Sequence, residues 1–112
     1  MGLSVGEQIV ALHRPRLERL CVLRSKDLER KQNGERVRVA GLVVVRQRPP
    51  TAKGFVFITV EDEDGLMNVI VKPDVYGRYY KVLRNCFLLI VEGTIQKLGG
   101  ILNVLAEGAV GM

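Results

Sequence analysis

At 112 residues the chain has the size of one ordinary domain, and an apolar share of 47% beside 26% charged residues excludes a disordered, solvating segment. Six residues are aromatic, three Phe and three Tyr with no Trp, so the core has to be built from Val, Leu and Ile, a composition that favours strands. Seventeen Lys and Arg against twelve Asp and Glu leave a formal charge of +5, which inclines the partners toward polyanions such as nucleic acid. No run approaches the ~18 to 20 apolar residues of a membrane span, and the N-terminus lacks a basic region followed by an apolar stretch, so neither membrane nor export is expected.

Residues 7–31 are charge-rich with scattered Leu and Val. A first helical piece is predicted over Val5 to His13, with Ile9 and Leu12 on one side, and Pro15 is expected to end it. Cys21 follows without a CxxC pattern or a histidine other than His13 to join it, so no metal site is expected. Ser25-Lys-Asp-Leu-Glu reads as a capped short helix that ends at the Asn33-Gly34 turn signal. Residues 1–35 are therefore expected to form a helical connector.

From Arg36 to Arg46, Val37, Val39, Gly41, Val43 and Val45 share one parity, while Arg36, Arg38 and Arg46 share the other, which predicts a long first strand. Gly41 in its middle suggests a bulge or bend that lets one strand serve two sides of a small barrel. Gln47 to Gly54, with Pro49 and Pro50, has to be a loop. Phe55 to Glu61 and Leu66 to Val71 are the second and third strands, joined by Asp62, Glu63, Asp64 and Gly65 as a tight acidic hairpin. In Pro73 to Arg84, Val75, Tyr79, Val82 and Leu83 recur at helical spacing behind a first-turn proline. Cys86 opens the apolar run to Val91 and reads as a buried thiol, consistent with a reducing cytoplasm. Phe87 to Ile95 is the fourth strand, Gly99-Gly100 marks a hairpin, Ile101 to Ala106 is the fifth strand, and residues 108–112 are expected to be a tail.

Three strands, a helix and two strands are the plan of the OB fold, so the expected architecture is all-β with short helices. It is a five-stranded Greek-key barrel over residues 36–107, with a helix between strands three and four and an N-terminal helical extension. Loops between strands one and two and between four and five flank the binding face in that plan.

Single-strand binding by such a barrel needs a basic groove for phosphates and flat side chains on which bases stack. Phe55, Phe57 and Thr59 share the outward parity of strand two, with Val56, Ile58 and Val60 inward. Met67, Val69 and Val71 face the core of strand three, leaving Asn68 outward with a donor and an acceptor. Arg46, Arg48 and Lys53 line the first loop, and Lys72 and Lys97 are candidate flanking contacts. Arg78, Lys81 and Arg84 form a basic stripe that reads as the solvated side of an amphipathic helix.

Enzymatic readings fail on residue type. Glu61 to Asp64 are consecutive acids in a hairpin, Val60 and Val71 stand where a calcium loop needs ligands, and His13 and the serines sit in no nucleophile setting. Ser4 and Ser25 read as helix starts. No P-loop or dinucleotide fingerprint is present, so neither a catalytic residue nor a cofactor is expected.

The run from Val37 through Arg46-Gln-Arg-Pro-Pro-Thr-Ala-Lys-Gly-Phe-Val-Phe-Ile-Thr-Val to Asp62 resembles the C-terminal OB domain of error-prone bacterial DNA polymerase III alpha subunits. Pro73-Asp-Val-Tyr-Gly-Arg-Tyr, Leu88 to Gly93, Arg14-Pro-Arg-Leu and Val22-Leu-Arg-Ser are similar to the same family, and Gly108 to Met112 departs from it. The resemblance implies a non-catalytic piece of a larger polymerase that holds single-stranded template DNA, rather than RNA, during replication past damage. It implies as partners the remainder of that polymerase chain or other replication proteins, and a monomer is expected. The wider group includes anticodon-binding domains of aspartate-type tRNA synthetases, whose pattern implies a stacking role for Phe57 and a base-edge role for Asn68. A protein-interaction module is a third reading, since OB barrels also dock proteins on the same face and on edge strands.

Overall fold

The computed structural model describes residues 4–112. Helix α1 spans Val5–Arg19, with the Ser4 hydroxyl accepting from the Glu7 N–H at 3.2 Å as its cap. Contrary to expectation, the helix runs through Pro15. Val10, Arg14 and Leu17 are buried on both sides of the proline, and this packing outweighs the hydrogen bond that Pro15 cannot donate. The buried stripe is also not the expected one, since Leu12 is 80% exposed. The second piece is a 3₁₀ turn, Ser25–Arg30, which stops short of Asn33-Gly34. Ser25 does not cap it: its hydroxyl donates to Asp62 at 2.7 Å, and the Asp27 carboxylate accepts from the Arg24 N–H at the turn's start.

Five strands close the barrel in the order β1-β2-β3-β5-β4: β1 Arg36–Gln47, β2 Val56–Asp62, β3 Gly65–Val71, β4 Leu88–Leu98 and β5 Ile101–Gly111. Neighbours are antiparallel except β3 and β5, whose parallel pairing closes the cylinder. This is the expected OB plan, with helix α2 (Pro73–Asn85) between β3 and β4.

β1 serves two neighbours, pairing with β4 from Arg36 to Leu42 and with β2 from Leu42 to Gln47. Gly41 lies at the changeover, where an added Cβ would stand 2.9 Å from the Val60 Cβ and the Glu61 carbonyl oxygen, so the strands can close only on glycine. The bulge itself sits three residues later. Val43 opposes Val60 and Val45 opposes Thr59, leaving Val44 as the extra residue. One inserted residue inverts the parity of everything after it. Val45 therefore turns outward, 39% exposed, and Arg46 takes the inward alternation opposite buried Ile58.

β5 also runs further than expected, to Gly111. Glu107 is bulged between the Glu92–Gly108 and Gly93–Ala106 pairs, and beyond it Ala109 is buried, so residues 108–111 complete a ladder with β4 rather than forming a tail. The barrel core is aliphatic, with Ile58, Val69, Leu83, Leu89, Ile95 and Val104 almost wholly buried.

The N-terminal segment is fastened to the acidic hairpin. Asp62 is fully buried and accepts from the Ser25 N–H, the Ser25 hydroxyl and the Asp64 and Gly65 amides. Arg14 is 7% exposed, grips Glu63 with two bonds of 2.7 and 2.6 Å and donates to the Val22 carbonyl at 3.1 Å. Arg24 grips Asp64 with two bonds of 2.7 Å, and the Glu61 carboxylate accepts from the Ser4 hydroxyl at 2.8 Å. All four acids of the hairpin thus find their partners in the N-terminal segment. Burial pushes the Glu63 carboxyl up, but hydrogen bonds from Arg14 and its own backbone, with the two arginine charges, bring it below the usual range. The Arg24 hydrogen bond does the same for Asp64.

Arg14→Ala strands a buried carboxylate and a buried carbonyl and is expected to cost about 3 kcal/mol in urea denaturation. Because Glu63 and Asp64 titrate below their unfolded values, their contribution is complete above the ordinary carboxylate range of about pH 4 and is lost as pH falls through the depressed values. Unfolding of the Glu63→Gln/Asp64→Asn pair across pH should show lower stability at pH 7 and a shallower acid limb.

Candidate nucleic-acid interface

Strand register assembles the outer face in rows. Gln47, Phe57, Ile70 and Leu105 align across β1, β2, β3 and β5. The next row is Val45, Thr59, Asn68, Asn103 and, on β4, Gln96. Phe57 is 37% exposed, Asn68 is exposed, and Thr59, Asn103 and Gln96 are half-buried. Within the described residues no partner occupies the amides of Asn68, Asn103 and Gln96, so each keeps its donors and acceptor for a ligand. The sequence reading missed Asn103 and Gln96, because only the parallel β3–β5 pairing brings them beside Asn68. Alternation within β4 and β5 marks them as outward but cannot say which strand lies next.

The loop from Arg48 to Phe55 borders this face. Pro49 and a 3₁₀ turn, Pro50–Ala52, shape it, and left-handed Lys53 (φ 53°) and Gly54 (φ 87°) turn the chain back into β2. The Phe55 N–H donates to the Ala52 carbonyl at 3.0 Å, holding Phe55 half-buried at the start of the strand. Arg48 is exposed and lies 5.3 Å over the Tyr76 ring, and Lys53 is exposed at the loop's end. Lys72 is exposed one residue beyond Val71, the partner of Val56, and so stands near the same rim.

Two of the expected contacts are employed elsewhere. The bulge sends Arg46 inward, where its guanidinium donates to the Leu83 carbonyl at 2.7 Å and the Cys86 carbonyl at 2.6 Å, closing the C-terminal end of α2. Lys97 donates from Nζ to the Glu29 carbonyl at 3.1 Å, on the alternation opposite to Gln96. The structure thus brings together Phe57, Thr59, Asn68, Arg48, Lys53 and Lys72, with Phe55 half-buried at the loop's end, and leaves Arg46 and Lys97 outside.

A cavity of about 410 Å³ lies between β1, β4 and β5, lined by Arg36, Arg38, Tyr79 and Glu92 among others. Its arginines are already paired, both with Glu92 at 2.9 and 3.0 Å and Arg36 also with Glu107 at 3.7 Å, and hydrogen bonds from Arg38 and then Arg36 hold the Glu92 carboxyl below its ordinary range. Among the described residues no cluster of three or more His, Cys, Asp or Glu is placed to share a cation. No helix there is long and apolar enough to cross a membrane.

A family model described as an OB-fold nucleic acid binding domain matches residues 37–109. The error-prone DNA polymerase of Anaeromyxobacter dehalogenans strain 2CP-C is 44% identical over 106 residues, 95% of this chain and 9% of that protein. The error-prone DNA polymerase of Rhodopirellula baltica is 41% identical over 104 residues, 93% of this chain and 9% of that protein. The chain therefore spans about a tenth of the length of these relatives. The crystal structure of asparaginyl-tRNA synthetase from Pyrococcus horikoshii, complexed with asparaginyl-adenylate, superposes with a TM-score of 0.67. It has 20% identity over 81% of this chain and 22% of that one, a likeness of fold.

Arg46 and Arg48 are expected to separate in measurement. Arg46→Ala should cost about 2 kcal/mol of stability through its two charge-assisted bonds and leave the salt dependence of oligonucleotide binding unchanged. Arg48→Ala should leave stability nearly unchanged and reduce the salt slope by about 0.7, the share of one single-strand phosphate.

Proposed function

Since the chain belongs to the family of OB-fold nucleic acid binding domains, we propose that it binds single-stranded DNA as a non-catalytic module of an error-prone DNA polymerase. The observation that carries this reading is the exposed Phe57 ring in a face of unoccupied amides, bordered by the unpaired cations of the Arg48 to Lys53 loop. A base stacks on Phe57, Asn68 and Asn103 meet base edges, and Arg48, Lys53 and Lys72 follow the phosphates. In the parent enzyme the module would hold template strand near the polymerase centre during synthesis past damage, acting as a single copy.

Support for DNA over tRNA comes from the relatives above 40% identity, which are polymerases along nearly the whole chain, whereas the synthetase likeness rests on fold. Titration of labelled oligo-dT and of an anticodon stem-loop at two salt concentrations tests the reading. Binding of oligo-dT that weakens with salt and exceeds that of the stem-loop is expected, and no binding at low salt overturns it. Phe57→Ala should lower affinity for homopolymers of every base alike, by a factor equivalent to about 1 to 3 kcal/mol.

A further inference from the structure

The net charge of the chain is not spread over it. Residues 46–60 and 65–85 hold seven Lys and Arg against Asp74 alone, while the remaining ten Lys and Arg face eleven acids. The whole positive excess therefore belongs to the first loop and to α2 with its entry. Among the described residues the salt bridges engage Arg14, Arg24, Arg36 and Arg38; Arg48, Lys53, Lys72, Arg78, Lys81 and Arg84 enter none, as is also true of Arg16, Arg19, Lys26, Arg30, Lys31 and Lys97 in the remainder.

The two basic elements also touch. Arg48 lies over Tyr76 of α2, and a Cβ built on Gly54 would be 3.2 Å from the Pro73 ring. Arg46 ties β1 to the far end of the helix through Leu83 and Cys86. Arg78, Lys81 and Arg84 are exposed, while Leu83 is buried and Val75, Tyr79 and Val82 pack on the core. α2 is kinked at Tyr79 (φ −114°, ψ 19°), and Gly77 before the kink is exposed as Lys81 and Arg84 beyond it are. Gly77 has no atom within 4 Å of where its Cβ would be, so packing does not require glycine and the helix backbone is open to close approach.

We propose that the outer side of α2, Arg78, Lys81 and Arg84 around Gly77, is a second contact for the phosphate backbone of the strand held on the barrel, reached over the Arg48 to Lys53 loop. The proposal rests on the single-strand reading and extends the path along α2, whose 13 residues span at most about 20 Å because of the kink. It reads no base, because the side chains there are cations with a fixed geometry only along the helix.

Two oligo-dT lengths test it at about 0.15 M salt, where fields from beyond ~8 Å are largely screened. One of about 6 nucleotides fills the barrel face, and one of about 20 also reaches the helix. The triple variant Arg78→Ala/Lys81→Ala/Arg84→Ala is expected to bind the long oligonucleotide at least tenfold more weakly, with a salt slope smaller by about 2, and the short one within twofold of the parent. Lys26→Ala/Arg30→Ala, which removes charge from the other end of the molecule, should alter neither. Equal losses for both lengths, or an unchanged long oligonucleotide, would overturn the helix contact alone. A parent chain that binds neither length would overturn the single-strand reading and this extension with it.

Discussion

One unpaired residue in β1, Val44, decides how the barrel and its surroundings are arranged. Up to Val43 the strand presents its valines to the core; after the bulge the alternation is reversed, so Val45 joins the outer face and Arg46 points to the barrel's end. There the guanidinium meets the carbonyls of Leu83 and Cys86, the groups a helix terminus leaves without partners. That contact fixes the end of α2 against β1, and with it the first loop, whose Arg48 rests on Tyr76 of the same helix. The fold needs the bulge to let one strand belong to both halves of the barrel, and the placement of cations follows from it.

Much of this was legible in the sequence. Alternation in β2 and β3 gave the core and the outward Phe57 and Asn68, because a half-buried strand has to show its period, and the spacing of Val75, Tyr79, Val82 and Leu83 gave α2. What escaped was of one physical kind: places where packing overrides a local rule. Pro15 lies inside a helix because Val10 and Leu17 are buried on either side of it. Ser25 carries the signature of a cap yet serves Asp62, and β5 continues through Gly108 because Ala109 has a place in the core. The bulge left no mark of its own, since Val43, Val44 and Val45 are identical and any of them could be the extra residue. Without it, Arg46 looks like a groove cation.

The acidic hairpin shows the same dependence on distant partners. Four consecutive carboxylates suggest a cation site by composition, and the structure satisfies them with Ser4, Arg14, Arg24 and Ser25 from the N-terminal segment. This neutralisation matters beyond stability. By consuming acids and arginines together at one end, it leaves the opposite end with cations that have no internal counterpart, and a field of one sign develops there at modest net charge.

Closure of the barrel bears on what kind of partner the outer face can take. The parallel β3–β5 ladder closes the sheet there, so a protein segment adding to this face as a further strand, the main-chain mode by which open sheets capture peptides, has only the short stretch of β1 beyond Leu42 that pairs with β2 alone. Recognition along the rest of the face has to come from side chains. Those available in the central rows are one aromatic ring, amides with vacant donors and acceptors, a hydroxyl and the aliphatic side chains of Val45, Ile70 and Leu105, with unpaired cations at the rim; the more exposed apolar residues Phe87, Leu98 and Ile101 lie outside them. A protein interface draws its energy from a desolvated apolar centre, whereas a strand of nucleic acid draws it from stacking and phosphate contacts, each needing little contiguous apolar area. The chemistry of this face matches the second requirement more fully than the first.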